Sequence, residues 1–152
     1  MKVRIEYDST FEEEEIVIKC AKLDNRVSKL KDIIENFENK NKVISFYKEK
    51  KEFYISTSDV LFFETSASGV DAHTKDDVYK VKYKLYELDE ILDKNFIRIS
   101  KSSIVNIGKI YSITYNIASS SLIDFHNSYK KVYASRFYSK ALKHKLEERR
   151  NI

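Results

Sequence analysis

Apolar and polar residues change period several times along the chain, and each change predicts a different element. Val3–Tyr7 and Ile16–Cys20 alternate residue by residue, which predicts two half-buried strands on either side of the acidic run Glu12–Glu15. From Asp24, a suitable N-cap, Val27, Leu30, Ile34 and Phe37 recur every three or four positions and predict an amphipathic helix ending near Lys40. Period two then returns. Val43–Lys48 and Glu52–Ser56 flank a lysine-bearing turn, Val60–Glu64 follows, and Val70–Thr74 and Val78–Tyr83 flank Lys75-Asp76-Asp77, so successive antiparallel hairpins are expected. Leu85, Leu88, Ile91 and Leu92 predict one short helix. Ser102–Ile107, Ile110–Tyr115, Leu122–Phe125 and Lys131–Tyr133 again read as strands, with His126-Asn127-Ser128 as a turn. From about Arg136 a last helix has Tyr138, Ala141, Leu142 and Leu146 on one face and Lys140, Lys143, Lys145, Arg149 and Arg150 exposed. These elements divide the chain into an N-terminal β-β-α appendage, residues 1–41, and a mainly β domain, residues 42–152. The fold class is α+β, mainly β.

Composition makes this organisation feasible and narrows the chemistry. The 152 residues include 11 Tyr and 9 Phe, and 42% are hydrophobic, enough to build a buried core. No apolar stretch approaches the roughly 18 residues needed to span a bilayer. The first residues lack a signal peptide's apolar segment, so a cytoplasmic location is expected. Cys20 is the single cysteine; it forms no internal disulfide and fits a reducing compartment. With 2 Gly and no Pro, turns must be made from Asn, Asp and Ser.

The net charge of +4 hides a strong asymmetry. Residues 1–41 have 10 acidic groups against 8 basic, and residues 42–93 have 11 against 8, whereas residues 94–152 carry 12 basic and 3 acidic groups, a net +9. That distribution suits a surface facing a polyanion, because each neutralised phosphate releases counterions. A solvated lysine-rich surface accounts for it equally well.

Catalytic patterns are lacking. His73, His126 and His144 are far apart and belong to no zinc motif. Gly69 and Gly108 cannot form a glycine-rich phosphate loop, and neither Ser102 nor Ser103 sits in a nucleophile elbow. The chain is therefore read as non-enzymatic, with no cofactor, metal or small-molecule substrate.

Four segments in order carry a resemblance: Val60-Leu61-Phe62-Phe63-Glu64, Tyr83-Lys84-Leu85-Tyr86-Glu87-Leu88, Phe96-Ile97-Arg98-Ile99-Ser100-Lys101-Ser102-Ser103-Ile104-Val105-Asn106, and Tyr133-Ala134-Ser135-Arg136-Phe137-Tyr138. Over about residues 43–147 the chain resembles the LytTR DNA-binding domain. The third segment is the most specific, being similar to the signature F-x-R-x-H-R-S-x-x-V-N. The appendage resembles that of small stand-alone members without a receiver domain.

The resemblance implies an elongated, mostly antiparallel β domain with a C-terminal helix, reading duplex DNA through loops set in successive major grooves and without a helix-turn-helix. Its DNA-binding residues would be Ser66, Ser68, Gly69 and Val70 in a first loop, Ser100, Lys101 and Ser102 in a second, and Ser135, Arg136 and Phe137 at the start of the last helix. Two positions depart from the family pattern: Ser100 stands where His is usual, and Lys101 where Arg or Asn is usual. Some members have arginine where this chain has Phe137, leaving open which of Arg136 and Phe137 faces DNA. Arg98 is read as a scaffold residue holding a carboxylate such as Glu64. The implied function is a sequence-specific transcriptional regulator acting as a homodimer on repeated sites, with a membrane protein as a further regulatory partner. A protein-interaction module that kept the fold but lost sequence readout is the alternative, and a single-stranded nucleic-acid binder comes third.

Overall fold

The computed structural model describes residues 4–10, 15–39, 44–116 and 118–150, without the side chains of 35–39. Val3, Glu12, Glu13, Glu14, Lys40, Val43 and the Phe37 side chain fall outside the described part. The chain divides into two compact units, Met1–Glu35 and Asn36–Ile152, so the division falls inside the first helix.

In the first unit, helix α1 (Asn25–Asn39) starts where the sequence places it. The Asp24 carboxylate accepts the amides of Arg26 and Val27 at 3.0 and 2.9 Å, satisfying two donors that the first turn cannot pair internally. Val27, Leu30 and Ile34 are half-buried. The two strands expected before α1 are not formed: residues 4–8 and 15–20 have no strand pairing. Alternation alone does not make a strand, because an isolated pair is marginal without a surface to cover its apolar side. Here Ile5 and Tyr7 are 90% and 92% exposed, and Ile16 and Val17 are exposed as well. Cys20 is exposed and free.

The second unit contains strands β1 (Phe46–Lys48), β2 (Lys51–Phe53), β3 (Val60–Ser66), β4 (Gly69–Thr74) and β5 (Val78–Val81), then helix α2 (Leu85–Ile91). Strands β6 (Phe96–Ser100), β7 (Ser103–Asn106), β8 (Ile110–Thr114), β9 (Ser121–Phe125) and β10 (Lys131–Ala134) precede helix α3 (Arg136–Arg150). A seven-stranded antiparallel sheet has the order β2-β1-β5-β4-β3-β7-β6, and a three-stranded sheet the order β10-β9-β8. The predicted hairpins are present. The strand expected over Ser102–Ile107 is present as β7, and β6, which the strand pattern did not single out, precedes it across a tight turn at Lys101-Ser102.

Each face of the large sheet has its own core. On one, Phe46, Phe63, Val70, Val81 and Ile104 pack with Leu85 and Leu88 of α2. On the other, Leu61, Phe62, Ile99 and Val105 pack with Ile123 and Phe125 of the small sheet and Leu142 of α3. Strand β3 is central to both. Its register shifts between Val60 and Phe62, so a bulge places the neighbours Leu61 and Phe62 in the same core while Val60 and Phe63 belong to the other. The last residue of the signature, Asn106, is buried: Nδ2 donates to the Val60 carbonyl at 3.0 Å and Oδ1 accepts the Gly108 amide at 3.0 Å. It satisfies backbone groups at the bulge and the following turn, a structural use of this position.

Two turns use left-handed backbone. Glu49 and Lys50, with φ of 50° and 67°, form the two-residue loop of the β1–β2 hairpin, and Asn127, with φ of 53°, lies in the predicted His126-Asn127-Ser128 turn. Only the second had a turn-forming residue to announce it.

Candidate nucleic-acid interface

Strand register brings the three expected regions to one end of the large sheet. Strands β3 and β4 turn back at Ala67-Ser68, flanked by the Ser66–Gly69 pair. Antiparallel pairing sets Glu64 opposite Ser103, so the β6–β7 turn lies at that same end. The Thr65 amide donates to the Ser102 carbonyl at 2.8 Å, tying the first two regions together. The Ser135 amide donates to the Ile99 carbonyl at 2.7 Å, which pins the start of α3 beside the end of β6.

In the first loop, Ala67, Ser68 and Gly69 are exposed and Ser66 is half-buried. Gly69 has φ of +124°, a conformation L side chains rarely adopt, while a Cβ there would meet nothing within 4 Å. Its glycine therefore serves the turn's backbone, not a need for space. Val70 departs from the expectation: it is buried in the α2-side core, paired across the sheet with Val81, so its side chain is not part of the exposed surface. Alternation along β4 points Gly69 outward and Val70 inward. Lys80, on the neighbouring strand and not singled out from sequence, donates to Ser66 Oγ at 2.9 Å and pairs with Asp71, bracing the loop from below.

In the second turn the Ser102 amide donates to Ser100 Oγ at 3.1 Å, and the two hydroxyl oxygens are 3.2 Å apart. Lys101 at its tip is exposed, and no described carboxylate pairs with it. Arg98 secures this turn. Its Nε donates to the Ser100 carbonyl at 2.8 Å, one terminal nitrogen donates to the Lys101 carbonyl at 2.6 Å, and the other pairs with Asp89 of α2 at 2.8 Å. The scaffold role expected for Arg98 is present, but its carboxylate is Asp89. Glu64 instead lies 3.0 Å from His73 Nε2. Arginine's planar fork suits this task, reaching two carbonyls and a carboxylate at once.

At the third region, the Ser135 carbonyl accepts the amides of Tyr138 and Ser139 at 3.0 and 3.1 Å, opening α3. Arg136 and Phe137, the first two residues of the helix, both project into solvent. The end of the sheet thus presents small hydroxyl and backbone groups together with two exposed cations, Lys101 and Arg136. No two helices of the described chain are consecutive, as each of α1 and α2 is followed by strands.

Comparison with known proteins identifies the family. The sequence model of the LytTr DNA-binding domain matches residues 50–147. A relative in Staphylococcus aureus strain NCTC 8325, named an uncharacterized HTH-type transcriptional regulator, is 31% identical over 149 residues, covering 96% of this chain and 98% of its own. The counterpart from strain MRSA252 bears the same designation and is 30% identical over the same length. Among solved structures, the LytTr DNA-binding domain of a Bacillus cereus protein superposes with a TM-score of 0.64 at 24% identity, covering 70% of this chain and 98% of that domain. The likeness in fold, the family match over most of the second unit and the relatives aligned along nearly the whole chain agree: the chain belongs to the LytTR DNA-binding domain family.

Proposed function

We propose that the chain is a transcriptional regulator that binds duplex DNA sequence-specifically, with the loops at Ser66–Gly69 and Ser100–Ser102 and the start of α3 entering major grooves. The observation that carries the reading is the convergence of these three segments at one end of one sheet, held by backbone hydrogen bonds and bearing the exposed cations Lys101 and Arg136. Phosphate contacts would orient the domain and base-edge contacts would select the site. The regulator names borne by the Staphylococcus relatives support the same reading. Because the net +9 of residues 94–152 supplies the attraction, affinity for duplex DNA is expected to fall linearly with salt on logarithmic axes, each neutralised phosphate adding about 0.9 to the slope. Fluorescence anisotropy on random-sequence and selected duplexes measures this. Absence of duplex binding at about 50 mM salt would favour a protein-interaction module instead.

A single small domain gains useful specificity by acting in pairs on repeated sites. We assign self-association to the first unit, where Ile5, Tyr7, Ile16, Val17, Leu23 and Ile33 are exposed. Replacing Ile5, Val17 and Ile33 with serine is expected to convert a dimer to a monomer in sedimentation velocity. A dimer that survives these changes moves the contact into the second unit. A membrane-protein regulator remains part of the proposal, supported by the family resemblance alone.

A further inference from the structure

We infer that Phe137 is a specificity residue that reads the C5-methyl group of a thymine in the major groove. The inference rests on the duplex-binding reading above and adds the base that one side chain selects. Phe137 is 85% exposed although it is the second residue of a helix whose Leu142 is fully buried. The one ring packed against it is Tyr138, edge-on at 5.1 Å, which leaves the rest of its surface open. It follows Arg136 directly, and the hydrogen bond from Ser135 to Ile99 fixes this start of α3 beside the β6–β7 turn.

The surroundings say what the ring can meet. Close in the fold stand Ser100, Lys101 and Ser102 of that turn, which are polar, whereas a stable protein interface needs a broad patch of about 800 Å² per partner. One exposed phenyl ring, with half-buried Tyr138 against one edge, beside cations and hydroxyls matches a polyanion with an isolated apolar feature. In the major groove every base edge offers polar donors and acceptors, and thymine alone adds a methyl group. Arg136 on the preceding residue would meet phosphate or a guanine edge while the ring packs on that methyl. Stacking on an unpaired base is the competing use of an exposed aromatic ring.

The test uses the full chain and duplexes selected by it from a random library. Each thymine of a selected duplex is replaced in turn by deoxyuridine, which removes the methyl and leaves base pairing intact. At one position per half-site the wild-type chain should lose about fourfold in affinity, the equivalent of one buried methyl. Phe137→Ala should bind about tenfold more weakly and be indifferent to that methyl, whereas Phe137→Leu, which keeps an apolar contact, should retain the discrimination. Circular dichroism confirms that the variants fold. Duplex binding that is insensitive to deoxyuridine everywhere, or a methyl effect unchanged in Phe137→Ala, overturns the inference and leaves the duplex-binding reading standing, whereas a preference for single strands that Phe137→Ala abolishes overturns both. Failure of the wild-type chain to bind any duplex overturns both.

Discussion

Phe62→Ala is expected to destabilise the second unit by about 3–5 kcal/mol, the usual cost of removing a fully buried aromatic ring and leaving a cavity. Phe62 is 3% exposed and stacked between two rings: His73 at 4.2 Å and 10°, and Phe125 of the small sheet at 5.4 Å and 16°. Its neighbours Leu61, Ile99 and Val105 belong to the large sheet, Ile123 to the small one and Leu142 to α3, so the ring joins three layers. Urea unfolding should show a lower midpoint with an unchanged slope. Phe62→Leu, which keeps much of the volume, should cost far less. His73 provides a second readout. Burial holds its imidazole below the ordinary histidine range, outweighing the opposing pull of Glu64 and Asp71, while Lys130 pushes the same way as burial. The folded chain therefore binds fewer protons than the unfolded chain near pH 6, and stability rises with pH up to about 6.5, the unfolded value, and is lost on acidification below it. Opening the cavity should bring the His73 titration, followed by NMR, back toward its ordinary value and flatten that slope. A loss below about 1 kcal/mol with an unmoved His73 would mean that the ring is not the link between the sheets.

What could be read from the sequence, and what could not, follows from how local each cause is. The hairpins at Val70–Tyr83 and the helix at Leu85 were legible because alternation, polar turns and the period change are all local. Asp24 announced its helix through its own side chain. The bulge in β3 was not legible, since Leu61 and Phe62 share a core only because the register shifts against β4. Strand β6 was legible but not singled out: Ile97-Arg98-Ile99-Ser100 alternates, with Ile97 and Ile99 in one core and Phe96 in the other. The N-terminal strands show the opposite failure, a clean local pattern with no paired strand. At the candidate interface, the order of the four family-like segments indicated the three regions, but not their braces. Arg98 found Asp89, nine residues away on α2, rather than Glu64, and Lys80 of β5 reached Ser66 of β3 across β4. Alternation places Val70, the last residue expected in the loop, with its side chain in the core, so only its backbone faces the loop.

Arg136→Ala and Lys101→Ala each remove one exposed cation from the same end of the sheet, and the two are expected to differ in kind. Arginine can donate two parallel hydrogen bonds to guanine O6 and N7, so Arg136→Ala should cost about 1–3 kcal/mol on a selected duplex and relax preference at one base pair. Lysine lacks that fork and acts as a point charge, so Lys101→Ala should weaken all duplexes alike and lower the salt slope by about one unit. Architecture supports the contrast. Arg98 holds the Lys101 carbonyl and fixes the turn, from which the exposed Lys101 side chain extends on its flexible stem, whereas Arg136 extends from the first turn of a helix anchored through Ser135. Circular dichroism and urea unfolding on both variants separate loss of contact from loss of structure, which matters most for Arg136 because it begins α3. Anisotropy titrations on selected and scrambled duplexes at two salt concentrations then supply the four numbers that decide. Equal losses on every duplex from both variants would mean that each cation contributes only to the field. Base reading by polar groups would then belong to the exposed loop Ala67-Ser68-Gly69, whose backbone lies at the same end of the sheet and needs no charge to approach a base edge.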